Sequence, residues 1–169
     1  MNEKRDLLGH FLAALAYRTQ KALRDAPAEF ANFEAGNQIR TPSELVRHMT
    51  SVLGYSRTFF IGGSYWPDAL ESLDAEIERF HSMLESLSKH LEDGDSLLGD
   101  MTEERLLQGP FSDAMTHAGQ LGMLRRLFGE PIPPENFIVA NIGAENLTAD
   151  QPAPVSPDEV WPEAPKHSK

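Results

Sequence analysis

Between Pro67 and Gly94 the chain reads PDALESLDAEIERFHSMLESLSKHLEDG. Apolar residues return at Leu70, Leu73, Ile77, Phe80, Leu84, Leu87 and Leu91. That alternation of threes and fours lays one stripe along a helix turning about 100° per residue. A stripe this regular is a seam, and it predicts partner helices patterned the same way. The helix is expected to start near Pro67–Asp68 and to close at Glu92–Asp93–Gly94.

Three other segments carry the same signature. From Glu3 to Arg24, Leu7, Phe11, Leu15 and Ala22 share a face, with Leu8, Leu12 and Thr19 beside them. A second helix is announced by Thr41–Pro42–Ser43–Glu44, a cap residue, a proline at the first position and an early acid. It runs to about Phe60, stops before Gly62–Gly63, and sets Leu45, Met49, Val52 and Phe59 on its apolar face. Gly62–Gly63 reads as a turn, and a linker with Gly99 and Gly109–Pro110 leads to a fourth helix from about Phe111 to Phe128. Arg125–Arg126 suit its last turn and Gly129 its end. A short apolar stretch, Phe137 to Ile142, is expected to cover an edge, and the Pro-rich acidic residues 149–169 to form a loosely ordered tail. Without repeats or βαβ alternation, the expected fold is all-α. It is an up-down four-helix bundle over residues 1–148.

Composition narrows the function. With 169 residues, 40% apolar and 24% charged, the chain is globular and large enough for a core without staples. The formal charge of −11 repels phosphate backbones and anionic lipid, so neither nucleic acid nor membrane is an expected partner. No cysteine is present, which removes disulfides, thiolate zinc sites and any cysteine nucleophile. No apolar run approaches the roughly 20 residues of a membrane span. Leu7 to Tyr17 imitates a signal peptide, but His10 interrupts it and no convincing cleavage site follows. A soluble, cytoplasmic protein is expected.

The informative residues are polar groups on apolar stripes, because each needs a partner once buried. On the fourth helix Asp113 and His117 share a stripe with Leu121, Leu124 and Phe128. Four residues apart, they project from one face and offer a carboxylate oxygen and an imidazole nitrogen. His48 flanks the apolar face of the second helix, beside Tyr55. Together the three form a candidate metal site with open coordination positions. The plainer reading makes His48 a hydrogen-bonded core residue and Asp113 with His117 a buried polar pair. The other histidines carry less. His10 is expected to face solvent, His90 lies near a helix end and His167 in the tail. Glu78-x-x-His81 has di-iron spacing, but that chemistry needs two such motifs and the chain has one.

Two segments carry a family resemblance. Thr41 to His48, TPSELVRH, resembles the second helix of DinB-like (DinB/YfiT) proteins, and Asp113 to Leu121, DAMTHAGQL, their fourth-helix motif. Leu127–Phe128–Gly129–Glu130–Pro131 is similar to that family's ending. The resemblance implies a four-helix bundle, commonly a homodimer, with one divalent metal ion held by His48, Asp113 and His117. Asp113 stands where the family usually has His; carboxylates occur there in the related mycothiol-dependent maleylpyruvate isomerases. The resemblance further implies a metal-dependent transferase, isomerase or hydrolase acting on a small electrophile, with a low-molecular-weight thiol as cosubstrate. Zn, Ni, Fe and Mn all suit such donors. Gly119 and Gly122, small residues on the fourth helix, are where close packing of a second copy is expected. The competing expectation is a non-enzymatic helical bundle that binds a small apolar ligand or a partner protein.

Overall fold

The computed structural model describes residues 2–162 and 164. It is all-helical: α1 (Glu3–Leu23), a 3₁₀ turn (Ala28–Asn32), α2 (Pro42–Ile61), α3 (Leu73–Glu92), α4 (Glu103–Leu106), a wide π turn (Leu107–Phe111) and α5 (Ser112–Phe128). The only β pairing among the described residues is an isolated antiparallel bridge between Glu135 and Pro157. Among the described residues no helix is long and apolar enough to cross a membrane.

Local chemistry sets the helix starts. At α2 the expected capping signal is complete. The Thr41 hydroxyl accepts from the Glu44 N–H, and the Glu44 carboxylate accepts from the Thr41 N–H at 2.9 Å. The start of α3 differs from expectation. Ser72 caps it by accepting from the Ala75 N–H, so the helix begins at Leu73 and not near Pro67. Leu70 therefore lies outside the helix and is 41% exposed, its N–H donated to the buried Glu76.

The four long helices pack in a ring, α1 and α2 each against both α3 and α5. Leu12 and Leu15 of α1, Val46, Met49 and Leu53 of α2, Phe80, Leu84 and Leu87 of α3, and Leu121 of α5 are fully buried within it. The α2 face is turned from the expected one, since Thr50, Gly54 and Ser56 are buried while Val52 and Phe59 are only partly so. The Thr50 and Ser56 hydroxyls satisfy themselves on the Val46 and Leu53 carbonyls one turn back. Leu7, expected on the α1 stripe, is exposed.

Helix directions depart from simple alternation. The Phe60 ring near the end of α2 stacks on His90 near the end of α3, and residues 41–47 face residues 69–76 across a cleft, so α2 and α3 run the same way. Arg5 pairs with Glu103, and the Arg125 guanidinium donates to the Arg24 carbonyl, so α1 and α5 also run together. Parallel neighbours need a connector as long as a helix. Twenty residues of α2 rise about 30 Å, and the eleven residues 62–72 reach up to about 36 Å when extended. Gly62–Gly63 is thus the start of a return strap along α2 rather than a tight turn. This strap builds the site described below.

The 93–111 linker is more helical than its glycines suggest. Thr102 caps α4, and the path continues through the wide turn, where Gly109 takes φ −96° and ψ −105° beside Pro110. Beyond α5, Phe137 covers α1, its ring edge-on to Tyr17 and under the Arg18 guanidinium at 3.7 Å, whereas Ile138 and Val139 stay exposed. Leu147 packs into the core, and the first part of the Pro-rich segment has specific partners. Arg24 donates to the carbonyls of Gln151 and Pro152 at 2.7 and 2.9 Å. Of residues 149–169, 163 and 165–169 lie outside the described residues, His167 among them.

Candidate metal centre

His48 belongs to the second turn of α2, whose start the Thr41 capping box fixes, with Met49 beside it fully buried. Asp113 and His117 stand one turn apart at the start of α5. Because α2 and α5 pack against each other, the two helices bring all three together: one donor atom from each lies within 4.8 Å of the others. The imidazoles of His48 and His117 meet edge to face with centroids 4.7 Å apart. His117 Nε2 lies 3.3 Å from Asp113 Oδ1. A tetrahedral ion with bonds of about 2.0–2.1 Å would set its donors roughly 3.3–3.4 Å apart. That edge is already in place.

Orientation of His117 comes from Gln120, whose Oε1 lies 2.8 Å from Nδ1. With an ion bound, Gln120 Oε1 would accept the Nδ1 proton and leave the Nε2 lone pair for the metal, the arrangement that fixes a metal-binding tautomer. The His48 pKa lies below the ordinary imidazole value, which favours the neutral ring. Burial is the main cause, the Arg40 and His117 charges add to it, and Asp113 opposes it. A neutral ring is the form that ligates. Two imidazoles and a carboxylate fit a borderline divalent ion and leave coordination positions free.

Asp113 is not in the core. Its side chain is 51% exposed, while Ala114 and Ala118 take the enclosed positions on α5 and His117 is buried. The expectation of a buried Asp113–His117 pair is therefore corrected. The carboxylate belongs to the wall of a cleft of about 860 Å³, shared with His48, Tyr55, Tyr65, Trp66 and Gly109. Two irregular segments complete that cleft, the return strap and the wide turn before α5. The strap is seated by Gly54, since a Cβ there would lie 2.0 Å from Tyr65 Cδ1. A glycine inside α2 was the sequence signal for this close approach.

The other described histidines, His10, His81 and His90, stay apart from this site. His10 is exposed, and His90 Nδ1 pairs with Asp95 at 2.6 Å. His81 is buried, with Nδ1 2.6 Å from the Leu147 carbonyl, while Glu78 points to solvent. No family model, curated protein or solved structure matches the chain.

Proposed function

We propose that the chain is a DinB-like, metal-dependent protein in which His48, Asp113 and His117 hold one divalent ion at the wall of a substrate cleft. The observation that supports this most strongly is the convergence of three donors from two helices, with Gln120 orienting one of them. The ring of four helices, with α2 and α3 parallel, is read as a four-helix bundle of up-down-down-up order. A bound ion would lower the pKa of a coordinated thiol or water, which suits a transferase, isomerase or hydrolase acting on a small electrophile. The chain's own residues bind and orient: His48 and His117 present imidazole nitrogens, Asp113 offsets charge, and the strap supplies one wall of the cleft. A thiol nucleophile has to come from a low-molecular-weight cosubstrate, since the chain has no cysteine.

The same reading makes the protein a cytoplasmic homodimer. It is supported on α5 by Gly119 and Gly122, where an added Cβ would meet nothing within 4 Å, leaving space for a close neighbour. Light scattering at micromolar concentration is expected to give twice the chain mass; the chain mass itself would contradict it. The activity is tested by loading the protein with Zn or Ni and following loss of free thiol in the presence of an electrophile. Turnover by wild type that disappears in Asp113→Ala is expected. Equal rates in both would sink the enzymatic reading and favour a bundle that only binds.

A further inference from the structure

The cleft beside the three donors has a neighbour. His48, Ser51 and Trp66 also line a smaller cleft of about 380 Å³, whose charged groups are Arg40, Glu44 and Arg47. The two clefts meet at His48 and share the highly exposed Trp66 indole. Their chemistry differs. The larger has no Lys or Arg on its wall, which is made of aromatic rings, hydroxyls, backbone and the Asp113 carboxylate. The smaller has two guanidinium groups and one carboxylate, and Glu44 is already engaged as an acceptor in the α2 cap.

Arg40 and Arg47 stand out among the arginines. Arg5 and Arg79 pair with carboxylates, Arg24 and Arg125 donate to carbonyls, and Arg18 lies over a ring. The side chains of Arg40 and Arg47 have no hydrogen bond, ion pair or ring partner among the described residues, in a chain whose net charge is −11. Guanidinium forks match carboxylates, and two of them against one carboxylate leave a local balance suited to a monoanion. The adjoining wall is aromatic around Tyr55, Tyr65 and Trp66, with Asp113 its one charged group, and that aromatic part suits an apolar ring.

We propose that the joined clefts bind a small aromatic monocarboxylate, its carboxylate on Arg40 and Arg47 and its ring laid across Trp66 toward Tyr55 and Tyr65. The body of such a ligand passes His48. What happens to it there rests on the metal-centre reading, whereas its capture by the arginines does not.

The chain has two tryptophans, so Trp161→Phe leaves Trp66 as the reporter. In that background, 4-phenylbutyrate and its uncharged amide are titrated by indole fluorescence, with chelator-treated and with Zn-loaded protein, and metal content is measured for each variant. The acid is expected to bind saturably in both forms and at least about tenfold more tightly than the amide. Arg40→Gln and Arg47→Gln are each expected to weaken the acid about tenfold, leaving the amide, the helical circular dichroism and the metal content unchanged. Equal binding of acid and amide, no saturable binding, or unchanged affinity in both arginine variants would overturn the proposal. Acid binding that needs Zn and survives both replacements places the carboxylate on the ion; the proposal then falls and the metal reading stands. Arginine-dependent binding in a protein that takes up no metal has the opposite meaning.

Discussion

Gln120 is the residue whose effect outruns its size. Its side chain touches no substrate cleft wall, yet it holds the His117 ring with Nε2 facing Asp113. Gln120→Leu is expected to keep the fold and to weaken Zn binding roughly 10–100-fold, as loss of an orienting partner does. Competition with a chromophoric chelator measures this, and an unchanged affinity would remove Gln120 from the account. His81 offers a second test. Burial depresses its pKa, and the hydrogen bond to the Leu147 carbonyl opposes burial only in part. The unfolded chain therefore takes up the proton more readily than the folded one. The contribution of His81 to stability is fully present above the unfolded value of about 6.5 and is lost as pH falls from there through the lower folded value, at about 1.4 kcal/mol per unit of depression. The melting temperature of wild type is expected to fall between pH 7.5 and 5.5, and His81→Gln to flatten that slope. Parallel profiles for the two proteins would contradict the assignment. Residue by residue, the closeness of His48 and His117 was legible because polar groups on apolar stripes demand partners, and Asp113 came with His117 through its spacing of four. The exposure of Asp113 was not legible, because spacing gives a direction around the helix and not what covers it.

At the level of elements, the strap 62–72 matters most. Its aromatic residues line the cleft, and Gly54 lets Tyr65 lie against α2. Gly54→Ala would force the ring away and is expected to destabilise the fold by about 1–3 kcal/mol in urea unfolding. In a Tyr65→Ala background the same change is expected to be neutral or mildly stabilising, alanine being the better helix former. Additive effects in the two backgrounds would show that Tyr65 does not contact Gly54 in solution. The four long helices were readable from periodicity, and the start of α2 from a cap written in four consecutive residues. The α3 start was placed too early because Leu70 continues the stripe, whereas Ser72 holds the cap. Helix direction could not be read from the stripes, since a periodic face is the same in either sense. Only the length of the connector carried it.

For the molecule as a whole, most of the core is independent of the site. The apolar residues of α1, α2, α3 and α5 form one cluster, and of the three donors only His117 is buried. The fold is thus expected to survive without metal and to gain about 2.7 kcal/mol from an ion present at a hundredfold excess over Kd. Chelator should lower the melting temperature while leaving the helical circular dichroism intact at 25 °C. Loss of that signal would make the site structural. Whether the molecule is a metal protein at all turns on His48, which shares no helix with Asp113 and His117 yet is placed with them. Metal content of wild type, His48→Ala and Asp113→Ala, purified identically without an affinity tag and loaded with Zn, tests this most directly. About one equivalent in wild type and a large loss in both variants is the expected result; equal metal in all three, or none in wild type, would contradict it.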